Sequence, residues 1–342
     1  MKRDKKFPSE LRQDLVSGNW VIIAKGRAKK SGSFKRKRIK SDMKEKDCPF
    51  CNIETQGSPI LIYTDQGEIP INGKVPKNWS VVVIPNKYPA LLPSTTLNKR
   101  EEGELYQTLD AVGHCELIVG KDHKKNIVDF NIKEIKTLLD IIQKRYLDLK
   151  KKLFVNYISI FQNYGVEAGA SQPHPHWQII TTPLIDVDLL DSLANAKKYF
   201  EEKKACVYCK MIEWEMTNKK RIVYENKHFI AICPFASKTA FQIILSPKKH
   251  LSNFERITEE EKNSLANIIK VISGVLRKAL GDHAYNFYLH TVPCDKEDYS
   301  YYHWHWTMLP KTSSLAGFEL GTHMEISTIE PKNAAKYLRS YL

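Results

Sequence analysis

The stretch Asn163–Ile180, NYGVEAGASQPHPHWQII, is where the reading of this chain turns. Its small, Gly-containing run from Glu167 to Ser171 suits close approach of backbone to a phosphate. Two histidines follow, His174 and His176, two positions apart. In extended chain such residues project to the same face. Pro175 between them fixes a φ angle and removes a donor, which stiffens the pair. One imidazole can then ligate a metal while its neighbour stays free to react; a zinc site using both is the plainer alternative.

Working outward, the ligands for such a metal are visible. Four of the seven cysteines form two CxxC pairs, Cys48-Pro-Phe-Cys51 and Cys206-Val-Tyr-Cys209. Two-residue spacing lets both thiolates reach one tetrahedral Zn²⁺ from a tight turn. An odd cysteine count in a chain with no apolar leader argues against a disulfide framework. No apolar run approaches the ~20 residues of a membrane span, so a soluble, cytoplasmic protein is expected.

Each CxxC opens one copy of an internal repeat. After the first come a strand-like segment Ser80–Leu92, an apolar run ending at His123, a helical stretch, the strand NYISIFQN, and His174 with His176. After the second come RIVYENKHFIAICP, FQIILSPKKH ending at His250, a helical stretch, YNFYLHT, and His303 with His305. The outer ligand histidines are 51 and 53 residues apart in the two copies, and Asn86 matches Asn226 in an Asn-Lys-aromatic context. Each copy thus offers Cys, Cys, His, His in one order: Cys48, Cys51, His123, His174 and Cys206, Cys209, His250, His303. The helices follow from apolar residues at spacings of three and four (Ile135, Leu138, Leu139, Ile142, Tyr146) and from Thr258 capping three glutamates. Strands outnumber helices without strict alternation, which predicts an α+β fold with mainly antiparallel sheet. Residues 1–190 and 191–342 are expected to form tandem domains.

With these features in place, GASQPHPHWQ resembles the active-site segment of galactose-1-phosphate uridylyltransferases, a branch of the histidine-triad superfamily with two fused copies of the fold. LRQDLVSGNWVIIAKGRAKK, WSVVVIPNKYPAL and AGFELGTHMEISTIEPKNAAKYLR resemble other segments of that family, so the likeness covers nearly the whole chain. The resemblance implies that His176 is a nucleophile taking a nucleoside monophosphate, by default UMP, from a nucleotide sugar, and passing it to a sugar 1-phosphate with ping-pong kinetics. It implies that Gln178 orients the adduct where hydrolytic relatives carry a third histidine, and that Ser171 and Asn163 hold phosphate and nucleophile. Arg27 matches a phosphate-binding arginine, and Lys30 stands where a second arginine is common. Asn86 and Tyr88 match nucleotide-binding positions, and Phe318 and Glu319 the C-terminal Gly-aromatic-Glu segment. The first metal set is then structural, pinning His174 and aiming His176. The second follows from the repeat, with His290 a possible addition, and His305 becomes a relic of the nucleophile. A homodimer is implied, because in that family the C-terminal segment of one subunit completes the other's site. Trp177, Tyr164 and the Gly321–His323 run depart from the family pattern.

Charge supplies the competing classes. The 342 residues carry 53 Lys+Arg against 39 Asp+Glu, a net +14, and +10 of it falls in the first 47 residues. A basic arm with two CxxC sets could mark a zinc-containing nucleic-acid-binding protein, but zinc fingers hold their ligands within ~12–20 residues. Here they run from Cys48 to His174. An ADP-glucose-type phosphorylase or adenylyltransferase of the same family is the near alternative.

Overall fold

The computed structural model describes residues 9–24, 34–35 and 43–342. Arg27, Lys30 and most of the basic arm lie outside them. A short N-terminal pair, β1 (Ser9–Gln13) and β2 (Trp20–Ala24), precedes the first copy. That copy runs β3 (Leu61–Thr64), β4 (Gly67–Ile69), β5 (Trp79–Pro85), a small hairpin of β6 (Lys99–Glu102) and β7 (Tyr106–Leu109), and β8 (Cys115–Gly120). It closes with α1 (Ile132–Leu149), β9 (Tyr157–Tyr164) and β10 (His176–Thr182). Two helices follow, α2 (Val187–Lys203) and α3 (Val207–Asn218). The second copy runs β11 (Ile222–Glu225), β12 (Phe229–Ile232), β13 (Ile243–Pro247), α4 (Glu259–Leu280), β14 (Tyr285–His290) and β15 (His305–Pro310). The chain ends with α5 (Gly317–Thr322), β16 (Ile326–Ser327) and α6 (Pro331–Arg339).

The fold is α+β, as the strand and helix pattern predicts. Both copies feed one eleven-stranded sheet, ordered β11-β12-β13-β15-β14-β9-β10-β8-β5-β3-β4. Its centre is the antiparallel pairing of β9 with β14, so strand order reads the same outward in either direction. β16 returns to pair in parallel with β2, tying the two ends of the chain together.

This order corrects one sequence match. β8 corresponds to β13, and their outer neighbours β5 and β12 correspond to each other. Asn86 follows β5, whereas Asn226 precedes β12, so the shared Asn-Lys-aromatic context is coincidental. Asn226 is the turn residue between β11 and β12, accepting hydrogen bonds from the N–H groups of His228 (3.2 Å) and Phe229 (3.0 Å).

The helices cover one face. Amphipathic stripes on α1 and α4 pack against each other and against the sheet, burying Ile135, Leu138, Ile142, Leu265, Ile269 and Ile272 among others. Both helices begin with a full capping box, Asn131 with Glu134 and Thr258 with Glu261. Trp177 points into this core, edge-on to Phe287 at 5.4 Å and Trp306 at 5.7 Å. Trp306 is its repeat counterpart, so the departure from the family pattern at Trp177 is a packing contact between the copies. Among the described residues no helix is long and apolar enough to cross a membrane.

Candidate active site

The face of the sheet opposite α1 and α4 carries the candidate residues. Alternation along β10 puts His176, Gln178 and Ile180 on this face and Trp177 and Ile179 in the core. His176 pairs with Val119 on β8, and Gln178 pairs with Leu117 on β8 and Phe161 on β9. One further step along the β9–β10 register is Asn163. The loop between these strands turns back through Gly165 (φ +84°) and Gly169 (φ +82°), left-handed positions that glycine takes without strain.

His176 is 4% exposed. Its Nδ1 lies 3.0 Å from the His174 carbonyl oxygen. A carbonyl only accepts, so Nδ1 carries the proton and Nε2 the lone pair. Among the described residues Nε2 has no hydrogen-bond partner. Burial pushes this imidazole below its ordinary pKa range, and the His174 carbonyl, which favours the charged form, only partly opposes that. Taken together, the two effects favour the neutral ring. The coupling between the two histidines runs from ring to backbone carbonyl, because β10 begins only at His176.

Cys48, Cys51, His123 and His174 bring one ligand atom each to within 4.8 Å of one another. The Cys48 Sγ–His174 Nδ1 distance is 3.5 Å, Cys51 Sγ–His123 Nδ1 3.3 Å and Cys51 Sγ–His174 Nδ1 3.6 Å. Zn–S bonds of ~2.3 Å and Zn–N bonds of ~2.0–2.1 Å set tetrahedrally put S and N about 3.6 Å apart. His174 Nε2 donates to the Gly120 carbonyl at 2.8 Å, which turns the lone pair of Nδ1 toward the thiols. Cys206, Cys209, His250 and His303 repeat the arrangement. Cys209 Sγ lies 3.3 and 3.5 Å from the two Nδ1 atoms, and the Nε2 atoms donate to Ser300 (2.7 Å) and Pro247 (2.9 Å). A hydrogen bond from Cys209 pulls the Cys206 thiol below its ordinary range. Both donor sets fit zinc in type, number and spacing. The second CxxC opens a helix, with Cys206 at the N-cap of α3.

Sequence reasoning missed the aromatic in the third position of each CxxC. Phe50 stands edge-on to His176 at 5.0 Å and to His174 at 5.7 Å. Tyr208 covers His305 at 5.5 Å and His303 at 6.1 Å. The signal was present in CPFC and CVYC, yet it acquires meaning only once each turn is seen folding over its own pair of histidines.

The other candidates are more dispersed. Asn163 Oδ1 accepts from Asn286 Nδ2 at 2.8 Å, a bond across the joint between copies. Gln178 is partly exposed beside His176, and Ser171 is exposed in the loop. Asn86 Oδ1 accepts from the Tyr88 N–H at 3.0 Å, holding a turn, and Tyr88 is 84% exposed. Glu319 closes on the N-terminus of its own helix at Ala316, and Phe318 is exposed beside it. Among the described residues neither side chain is hydrogen-bonded to the sheet. His290 stacks on His305 at 4.7 Å and is not among the atoms of the second Cys–His set.

Comparison with known proteins agrees with this architecture. The family model described as galactose-1-phosphate uridyl transferase, N-terminal domain, matches residues 1–185, and a domain family of unknown function matches residues 119–341. The chain is 31% identical over 336 residues to ADP-glucose phosphorylase of Arabidopsis thaliana, covering 96% of this chain and 92% of that one. It is 29% identical to galactose-1-phosphate uridylyltransferase of Thermotoga maritima, covering 96% and 98%. The crystal structure of the Arabidopsis ADP-glucose phosphorylase with bound ADP-glucose superimposes with a TM-score of 0.78 at 29% identity, covering 97% and 98%.

Proposed function

Because the chain belongs to the galactose-1-phosphate uridylyltransferase family of nucleotidyltransferases, we propose that His176 Nε2 carries the nucleotide between two sugar phosphates. In the first half-reaction Nε2 attacks the α-phosphorus of a nucleotide sugar. A P–N bond forms, the P–O bond to the sugar phosphate breaks, and the sugar 1-phosphate leaves. In the second, a phosphate oxygen of the acceptor attacks phosphorus and the P–N bond breaks. The observation that carries this reading is the fixed tautomer: Nδ1–H is committed to the His174 carbonyl, so the lone pair sits on Nε2.

Gln178 is assigned to hydrogen-bond a phosphate oxygen, and Asn163 and Ser171 to hold phosphate and nucleophile. Arg27 and Lys30 are assigned to offset the negative charge that grows on phosphorus oxygens. Asn86, Tyr88, Phe318 and Glu319 are assigned to nucleotide and sugar recognition. Cys48, Cys51, His123 and His174 would hold a zinc ion, with Cys206, Cys209, His250 and His303 holding a second. A closed four-ligand site supplies rigidity rather than chemistry; the rigidity reaches His176 through the carbonyl of His174. Exposed Leu315, Phe318 and Leu320 near the C-terminus support a homodimer completed by that segment. Phosphorylated substrates suit a cytoplasmic enzyme.

The substrates proposed are UDP-glucose and galactose 1-phosphate. ADP-glucose with phosphate is a second reading, favoured by the 31% identity to an ADP-glucose phosphorylase; both use the same histidine. The test is brief incubation with UDP-glucose or ADP-glucose labelled in the nucleotide phosphate, followed by denaturing gel. Label retained by wild type and absent from His176→Ala is expected, and the nucleotide that labels identifies the base. Label persisting in His176→Ala would sink the assignment.

A further inference from the structure

The repeat makes a second face comparable with the first, position by position. His305 pairs with His290 on β14, and the corresponding position on β9 is Asn163, two residues beyond the Phe161–Gln178 pair. Thr307, Ile244 and Tyr288 then take the places of Gln178, Leu117 and Phe161. His305 Nδ1 lies 3.3 Å from the His303 carbonyl, and Tyr208 covers the ring as Phe50 covers that of His176. Over the second face and the β9–β14 joint a cavity of about 480 Å³ opens, lined by Ile244, Ser246 and Thr307, by Tyr208, Tyr288 and His290, and by Phe161 and Asn163 of β9. That volume falls within the ~300–1,000 Å³ of small-molecule pockets.

We infer that this cavity is a second binding site, for an uncharged nucleoside, and that it carries no transfer chemistry. The rings of Tyr208 and Tyr288, with Ile244 beside them, accept a base. The hydroxyls of Ser246 and Thr307, and a His290 ring with no hydrogen-bond partner among the described residues, can take the ribose hydroxyls. Charge excludes the phosphorylated form. The lining carries Asp14, Asp186 and Asp188 against a single lysine, Lys238, which lies 3.5 Å from Glu325. A phosphate entering would meet carboxylates without a committed cation. Thr307 in place of Gln178 removes the amide assigned to a phosphate oxygen. The inference does not depend on the role of His176, which is not part of the cavity lining; Asn163 is shared with the proposed transfer site.

Photolabelling of the full-length, metal-loaded protein with 8-azidoadenosine, followed by peptide mapping, tests it. Label is expected in peptides spanning residues 285–310, competed by adenosine or uridine and not by free glucose, galactose or glucose 1-phosphate. Labelling there should fall at least tenfold in Ile244→Trp, which fills the cavity, while nucleotidyl transfer stays within twofold of wild type. Tyr288→Leu, which removes a ring without adding bulk, should lose the label likewise, with an unchanged melting temperature checking the fold of both variants. The inference is overturned by absence of label in those peptides, by competition from free hexose alone, or by undiminished labelling in natively melting variants.

Discussion

Replacing Gln178 by alanine should leave the protein folded, because its side chain is half-exposed and makes no hydrogen bond among the described residues. Removing one preorganised donor to a developing phosphate charge costs about 10²–10³ in kcat. Steady-state transfer kinetics should show that loss with little change in denaturation midpoint; an unchanged kcat would remove Gln178 from the mechanism. Phe50→Ala should behave differently. Truncating a buried phenylalanine costs about 3–5 kcal/mol, and urea unfolding should record a loss of that order together with slower transfer, since the ring also walls His176. The histidines and both ligand sets were legible in the sequence, because the CxxC and His-x-His spacings recur in one order in both copies of the repeat. Phe50 and Tyr208 were not, because an aromatic between two cysteines has no role until the turn is placed. Asn86 and Asn226 show the opposite error: identical local wording at two positions that lie one strand apart.

At the scale of elements, α1 and α4 were readable from their apolar stripes and from Thr258, because both signals are local. α2 and α3 were not read. α2 buries only Leu189, Leu193 and Ala196, too narrow a stripe to stand out, and the second CxxC read as a turn although it opens a helix. The helix-covered side of β10 yields a stability prediction. Trp177→Ala should cost about 3–5 kcal/mol in chemical unfolding, since the indole bridges Phe287 and Trp306 across the joint. The helix pair yields one in pH. Lys136 and Lys262 hold the Glu259 carboxyl well down, to about 2. A depressed carboxylate contributes stability that is present above its ordinary value near 4.5 and disappears as pH falls toward 2. Glu259 is largely exposed, so solvent screening keeps the contribution below about 1 kcal/mol. Glu259→Gln should therefore lower the urea midpoint slightly at pH 7 and leave it equal to wild type at pH 2.

For the molecule as a whole, two closed Cys–His sets join residues far apart in sequence, Cys48 to His174 in one and Cys206 to His303 in the other. Elemental analysis should find two zinc ions per chain, and strong chelation should lower the melting temperature and abolish transfer together. Light scattering should give twice the 39.5 kDa of one chain. The repeat announced two copies of one unit. That both share a single sheet could not be read, because the strands that join them, β9 and β14, are more than a hundred residues apart and carry no mark of their pairing. That joint sets a limit on how the protein can be divided. Cutting the gene after residue 190 would strip β14 from β9 and leave a row of bare amide and carbonyl groups along an eight-residue strand. Such a fragment would be adhesive, recruiting other copies of itself or any extended peptide at hand, so the halves must be made as one polypeptide to remain in solution.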